Sequence, residues 1–199
     1  MTILEEIVAF KKKEVEQAKI KCSIEKLKSF SAYNRKCYSL KFNLMGAEKN
    51  GIIAEFKRKS PSKKDINLNA NLSDVVRGYE SANVAGISVL TDNYFFGGRL
   101  SDLEQARSLV STSILRKDFM IDVYQIHEAK AYGADIVLLI ANILTPQQTQ
   151  KLANEAKQLG LEILLEIDSK EHIDSHIIDE VDIVGINNRN LKTFDTSIA

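Results

Sequence analysis

The chain has 199 residues, enough for one domain with a substantial hydrophobic core and too few to argue for two domains. Its 27 lysine and arginine residues balance its 27 aspartate and glutamate residues, so the charge indicates neither a nucleic-acid-binding surface nor an acidic tail. We therefore expect a small-molecule partner and no nucleic acid.

The first elements along the chain are predicted helices. The stretch MTILEEIVAFKKKEVEQAK carries apolar residues at a helical period with charged residues between them. It has neither the cleavage pattern of a signal peptide nor a run of about 20 apolar residues, so we expect a cytoplasmic protein that does not enter a membrane. The run Lys11, Lys12 and Lys13 is interpreted as a solvated face of this helix. Two such helices are expected before a boundary near residues 45 to 50.

Both cysteines, Cys22 and Cys37, lie in the same N-terminal region. They lack C-x-x-C spacing, and no cluster of histidines lies near them, which argues against a zinc site. We expect both to be reduced thiols.

From Gly51 onward, short apolar runs alternate with longer amphipathic stretches. The runs are GIIAEF, GISVL, SILRKDF, ADIVLLI, LEILLEI and VDIVGI. This alternation is typical of β-α repetition and a parallel sheet. Gly133 and Gly160 fit helix C-terminal positions that need a positive φ, and Thr145 with Pro146 fits the start of a helix.

Two α/β architectures share this alternation, an open doubly wound sheet and a β/α barrel. Polar residues decide between them, because they follow the apolar part of nearly every strand. They are Glu55, Lys57, Thr91, Asp92, Lys117, Asp118, Asn142, Glu166, Asn187 and Arg189. An open sheet needs polar residues only at its switch point, whereas a barrel brings all strand ends to one rim. The sequence therefore favours a TIM (β/α)8-type barrel.

Two lysines and two carboxylates are predicted to face one cavity at this rim. Side chains alternate along a strand, so Glu55 and Lys57 share a face, and Lys117 and Glu166 point to the same side from their own strands. Such charges either form structural ion pairs or act as general acids and bases. Because lysine also offers a point charge for phosphate or carboxylate, we expect a phosphorylated, acidic small molecule as substrate.

The chain carries, in order, the stretches IIAEFKRKSPSK, SVLTDNYFFGG, ILRKDF, GADIVLLI, LLEI and GINNRNL. This set resembles the signature blocks of indole-3-glycerol phosphate synthase, a lyase family of tryptophan biosynthesis. The resemblance extends from the N-terminal helices to the last residue. It implies conversion of 1-(2-carboxyphenylamino)-1-deoxyribulose 5-phosphate into indole-3-glycerol phosphate, with loss of carbon dioxide and water and without a metal or organic cofactor.

The resemblance also implies catalytic roles for particular residues. Lys117 is the expected general acid that protonates the substrate carbonyl during ring closure, and Glu166 is the general base of the later dehydration. Lys57 contacts the acidic groups of the substrate, with a further proton-donating role left open. Glu55 holds the lysines in position. Asn187 orients the substrate and Glu166.

Three further residues are implied to bind the substrate. Arg189 helps to orient it, Phe96 packs against its aromatic ring, and Ser60 lines the same loop as Lys57.

The resemblance predicts a single incomplete β/α barrel domain over residues 1–199. It consists of a helical extension over 1–48 and of strands one to six with their helices over 51–199. Family members continue for two more β-α units that bind the substrate phosphate, so we expect a truncated chain, completed by self-association or by another polypeptide.

Other assignments stay open at this point. A related phosphate-binding barrel such as phosphoribosylanthranilate isomerase uses a cysteine and an aspartate, but neither cysteine lies in the barrel portion. A catalytically incomplete fragment or a self-assembling partial barrel is the alternative of another class.

The three histidines are expected to lie on the surface. His172 and His176 are four residues apart and could share a helix face, but without a third ligand we interpret them as a solvated surface and predict no metal site. His127 is predicted to be a surface residue of the third helix of the repeat.

Overall fold

The structure is a computed structural model that describes residues 2–187. Its α-helices are α1 Ile3–Lys21, α2 Ile24–Lys28, α3 Leu40–Met45, α4 Leu72–Ser81, α5 Leu100–Leu109, α6 Val123–Ala131, α7 Pro146–Gln158 and α8 Lys170–His176. Its strands are β1 Ile53–Phe56, β2 Gly86–Leu90, β3 Ser113–Lys117, β4 Ile136–Ile140, β5 Glu162–Ile167 and β6 Ile183–Ile186.

The strands of the described region form one parallel sheet in the order β1-β2-β3-β4-β5-β6. A doubly wound sheet reverses its strand order at a switch point, whereas consecutive order is the arrangement of a β/α barrel. Each predicted apolar run corresponds to one of these strands. The predicted α/β class and partial TIM-barrel architecture are therefore confirmed.

The sheet separates two apolar layers because side chains alternate along each strand. On β4, Val137 and Leu139 pack outward beneath the helices, while Leu138 and Ile140 face the interior of the barrel. Leu40 of α3 completes the interior layer at the amino ends of the strands and is fully buried.

A glycine at the start of β2 makes room for Leu40. A Cβ atom added at Gly86 would lie 2.5 Å from Cδ1 of Leu40. A side chain at residue 86 would therefore force the end of the Leu40 side chain to shift.

Local capping follows the predicted pattern in the β-α repeat. Thr145 accepts a hydrogen bond from the backbone N–H of Gln148, whose side chain accepts from the backbone N–H of Thr145, and Pro146 occupies the first turn of α7. Gly133 and Gly160 have φ values of 90° and 71° just beyond α6 and α7. These predictions of helix ends are confirmed.

The N-terminal region differs from the prediction in two respects. Three helices, α1 to α3, precede β1 where two were expected. Lys11 is 1% exposed, so its interpretation as part of a solvated face is wrong, whereas Lys12 and Lys13 are exposed. The reason is the helical period, because Lys11 lies one turn from Ile7 and one turn from Val15, and all three face the barrel.

Two histidines predicted to lie on the surface are buried. His127 Nδ1 forms a hydrogen bond of 2.5 Å with the hydroxyl group of Tyr33, and His127 Nε2 lies 3.0 Å from Glu155 Oε1. His176 is 5% exposed, with Nε2 at 2.9 Å from the carbonyl oxygen of Leu144. A helix surface in a β-α repeat is covered wherever a neighbouring helix packs on it, and a single sequence does not record that contact.

Within residues 2–187, no group of three or more histidine, cysteine, aspartate and glutamate side chains is arranged to hold a metal ion. Cys22 and Cys37 are free thiols. None of the helices in this range has the length and apolar composition needed to cross a membrane.

Candidate active site

A cavity of about 270 Å³ lies at the carboxyl ends of the strands. Its wall contains every predicted site residue within the described range. These are Glu55, Lys57, Ser60, Phe96, Lys117, Glu166 and Asn187. Arg189, the remaining predicted residue, lies outside the described residues.

Glu55 connects the two lysines of the cavity. Lys57 Nζ donates a hydrogen bond to Glu55 Oε1, and Lys117 Nζ lies 3.3 Å from Glu55 Oε2. The arrangement follows from the strands, since Glu55 and Lys57 are two residues apart at the end of β1 and Lys117 ends β3. One carboxylate therefore positions both ammonium groups.

The charge of Glu55 is stabilised by these neighbours. Burial alone would raise its pKa, but the attraction of Lys117 and the hydrogen bond from Lys57 outweigh burial and hold the pKa of Glu55 below its ordinary value. Glu55 is therefore an anion at neutral pH, suited to orienting ammonium groups and not to donating a proton.

Glu166 faces Lys117 across the cavity. Its Oε2 lies 4.0 Å from Lys117 Nζ, and its Oε1 accepts a hydrogen bond from Asn187 Nδ2 at 3.1 Å. Asn187 follows β6, which pairs with β5 so that Glu166 lies beside Gly185. The amide of Asn187 fixes one oxygen of Glu166 and leaves the other directed toward the lysine.

Aromatic and apolar side chains surround these charges. Leu138 and Ile140 of β4 form part of the wall, and Phe96 packs against Phe119 with ring centroids 5.9 Å apart. A cavity with an apolar wall and a cluster of charges accommodates a molecule that carries both an aromatic ring and acidic groups.

The two loops that carry Ser60 and Phe96 are connected to each other. Lys59 Nζ donates to the carbonyl oxygen of Tyr94 at 2.8 Å, and Arg58 forms an ion pair with Asp102 at the start of α5. Ser60 exchanges backbone hydrogen bonds with Lys63, which makes a tight turn at the rim. Ser60 and Phe96 thereby lie on the same side of the cavity.

Sequence reasoning missed the contribution of α1 to this site. Ile3, Leu4 and Ile7 line the cavity from the first two turns of that helix. The available signal was the helical face that these residues share with Lys11. The sequence predicts that the helix is amphipathic, but it does not indicate which part of the barrel the apolar face covers.

Asp92 and Asp118 lie at the rim, as predicted, but belong to a buried network. Asp118 Oδ2 accepts hydrogen bonds from the Thr91 hydroxyl at 2.6 Å and from Arg116 at 3.1 Å. Burial would raise the pKa of Asp118, but the nearby Lys11 and Arg116 lower it well below its usual range. Asn142, which was also predicted at the rim, lies just after β4 and donates to Asp168 at 2.6 Å.

Comparison with known proteins identifies the family. The family model described as indole-3-glycerol phosphate synthase matches residues 4–199 of this chain. The chain belongs to the indole-3-glycerol phosphate synthase family.

Relatives in this family match nearly the whole chain. An indole-3-glycerol phosphate synthase from Bacteroides thetaiotaomicron is 47% identical over 196 residues, which cover 98% of this chain and 75% of that protein. A protein of the same name from Caldanaerobacter subterraneus subsp. tengcongensis is 42% identical with the same coverage, 98% and 75%. The resemblance stated from the sequence is thus confirmed.

The similarity to solved structures is lower than the similarity to these relatives. The carboxyl transferase domain from Rhizobium etli pyruvate carboxylase has a TM-score of 0.48 and 15% identity, over 67% of this chain and 27% of that chain. Membership in the indole-3-glycerol phosphate synthase family therefore stands on sequence.

Proposed function

We propose that this protein is an indole-3-glycerol phosphate synthase. Its substrate is 1-(2-carboxyphenylamino)-1-deoxyribulose 5-phosphate, and its products are indole-3-glycerol phosphate, carbon dioxide and water. The observation that carries the proposal is the arrangement of Lys117 between Glu55 and Glu166 at 3.3 and 4.0 Å in a cavity that also has an apolar wall.

Ring closure is the first chemical step of the proposed reaction. The ring carbon that bears the carboxylate attacks the substrate carbonyl carbon, and the carbonyl oxygen takes a proton to become a hydroxyl. Lys117 donates that proton, because its ammonium group lies inside the cavity and Glu55 holds it there. Loss of carbon dioxide then returns the bonding electrons to the ring and restores aromaticity.

Dehydration completes the proposed reaction. The new hydroxyl takes a proton from Lys57, the other ammonium group of the cavity, and leaves as water, while the neighbouring ring carbon loses a proton so that the indole double bond forms. Glu166 accepts that proton through the oxygen that faces Lys117, while Asn187 holds the other oxygen. The proposed acid and base lie 4.0 Å apart, close enough to act on neighbouring atoms of one substrate.

The remaining side chains bind and orient the substrate in this proposal. Lys57 attracts its acidic groups, with Glu55 keeping the two ammonium groups apart and in place. Phe96 packs against the aromatic ring, and Ser60 lines the turn beside Lys57. The role of Arg189 in orienting the substrate stays a prediction.

Two other functions receive less support from the site. An isomerase that uses a catalytic cysteine is disfavoured, because Cys22 and Cys37 lie before β1 and do not line the cavity. A non-catalytic role would be indicated if the folded wild-type protein showed no turnover of the proposed substrate. We assign the reaction to the cytoplasm, where thiols such as these two remain reduced.

The proposal is tested by turnover of the carboxyphenylamino-deoxyribulose phosphate, followed by the ultraviolet absorbance of the indole product. Lys117→Ala should lower kcat by about hundredfold or more, since that is the usual contribution of a general acid. A folded wild-type protein with no turnover, or Lys117→Ala with unchanged kcat, would contradict the proposal.

A further inference from the structure

Lys11 of α1 is a buried cation surrounded by carboxylates. Its Nζ lies 2.8 Å from Asp118 Oδ1, 2.9 Å from Asp92 Oδ2 and 3.1 Å from Glu14 Oε2, and its side chain is 1% exposed. Burial favours the neutral amine, but Asp118 and Asp92 outweigh burial and raise the pKa of Lys11. Lys11 is therefore an ammonium ion held entirely inside the protein.

The two aspartates connect Lys11 to the ends of two neighbouring strands in the cavity wall. Asp118 directly follows Lys117 in the chain, and its Oδ1 also accepts the backbone N–H of Phe119 at 2.8 Å. Asp92 Oδ1 accepts the backbone N–H groups of Phe95 and Phe96 at 2.8 and 3.2 Å. The ends of β2 and β3 thus meet at a single ammonium group.

Arg116 is the other cation that pairs with Asp118, but it does not take the place of Lys11 as the partner of Asp92. Arg116 forms ion pairs with Asp118 and Glu128 at 3.1 and 2.8 Å. In the part of the chain that the structure describes, the only cation paired with Asp92 is Lys11. Without Lys11, Asp92 and Asp118 would face each other with too little positive charge between them.

Attachment of α1 to the barrel does not require a charge at this position. A buried ion pair gains little stability over apolar residues of the same size, because two charges must be taken out of water. Ile7 and Val15, one turn to either side of Lys11, are buried and apolar. What distinguishes Lys11 is the position of its two aspartate partners. Asp92 accepts the backbone N–H of Phe96, and Asp118 directly follows Lys117.

We propose that Lys11 is a positioning residue for this active site, acting through Asp118 on Lys117 and through Asp92 on Phe96. The proposal rests on the function proposed above. Lys11 itself does not line the cavity and takes no part in proton transfer.

The test compares three lysine variants by steady-state kinetics and thermal unfolding. Lys11→Met should lower kcat by about tenfold to hundredfold through the displaced Lys117, since a misplacement near 1 Å has effects of this size on the chemical step. It should raise KM by a smaller factor through the displaced Phe96. Lys11→Arg keeps the charge and should recover most of that loss.

Lys19→Met is the matched control for these variants. It makes the same chemical change on the same helix and removes the ion pair of Lys19 with Asp122 at 2.8 Å, which lies away from the cavity. Its kcat should stay within about twofold of the wild type. A folded Lys11→Met protein with the kcat of the control would overturn the proposal.

A further variant keeps the test decisive if Lys11→Met does not fold. Lys11→Gln retains a hydrogen-bond donor without the charge and is measured in the same way, with the same expected and contradicting results.

A crystal structure of the folded Lys11 variant separates this proposal from the function. If the wild type has no turnover, the proposed function fails, but the role of Lys11 is still decided by the coordinates. Lys117 Nζ or the Phe96 ring displaced by about 1 Å or more supports positioning. Both groups in place, with Lys117 still 3.3 Å from Glu55, would contradict it.

Discussion

Glu55 on β1 and Lys117 on β3 form an ion pair of 3.3 Å across the end of β2, which lies between their strands. The pair spans the neighbouring strand, so it depends on the curvature of the sheet. It joins Lys117 to Glu55 and Lys57, which lie two residues apart at the end of β1.

Replacing Glu55 tests this unit. Glu55→Gln removes the shared counter-ion of Lys57 and Lys117, so both ammonium groups lose their orientation, and kcat should fall by about tenfold or more. Glu171→Gln, on the exposed surface of α8, is the matched control and should retain wild-type kinetics. Equal kcat values for the two variants would show that Glu55 does not position the lysines.

Asn187 offers a second comparison at the rim. Asn187→Ala frees Oε1 of Glu166 from its hydrogen bond at 3.1 Å, and we expect kcat to fall by about tenfold because Glu166, the proposed base, is less well oriented. Asn142→Ala also removes an amide at the end of a strand, but its partner is Asp168 and it does not line the cavity. Steady-state assays of both variants should show the loss only at position 187.

Burial of Leu40 predicts a large effect on stability. Leu40→Ala leaves a void beneath the barrel interior and should lower the free energy of unfolding by about 2 to 5 kcal/mol. Phe42→Ala removes a larger side chain from the same helix, but Phe42 is 76% exposed, so the change should stay within about 0.5 kcal/mol. Urea unfolding gives both values, and a similar effect of the two variants would contradict the packing described for α3.

His127 should make stability depend on pH. Burial lowers its pKa from the ordinary value of 6.5, against the opposing attraction of Glu155 and Glu25, while the charge of Lys28 adds to the lowering. A lowered pKa in the folded state means that the unfolded chain binds more protons. The stability that the neutral imidazole contributes is therefore present above pH 6.5 and is lost as the pH falls through the folded pKa.

His127→Gln removes this titration. Between about pH 7.5 and about pH 5.5 the wild type should lose more stability than the variant, measured as the shift of the urea midpoint. His172→Gln serves as the control for loss of an imidazole. If His127→Gln and the wild type lose stability in parallel over this range, the burial of His127 has no effect on the pH dependence.

The strands and the residues that line the cavity could be predicted because both depend on how apolar and polar residues are spaced along short stretches of the chain. The apolar runs from GIIAEF to VDIVGI match the strands one by one. The two-residue alternation on β1 was enough to place Glu55 and Lys57 on one face, and the consecutive β-α order was enough to bring Lys117 and Glu166 to the same rim.

The errors concern contacts between elements that are distant in sequence. A run of three lysines is usually hydrated, so the sequence predicts solvent exposure for Lys11, but the structure places Asp92 and Asp118 directly against it. The sequence predicts a surface position for His127, but Tyr33 and Glu155 cover it from two other parts of the chain. A helical period shows which residues share a face and does not show what packs against that face.

The origin of the cavity wall has a consequence for changing substrate preference. Ile3, Leu4 and Ile7 form part of that wall but lie on α1, whereas Lys117 and Glu166 lie on strands of the sheet. Side chains of other sizes at the first two positions, which lie in the first turn of α1, would enlarge or narrow the cavity without replacing any of its charged groups. The size of the accepted ligand can therefore be varied from an element that precedes the sheet in the chain.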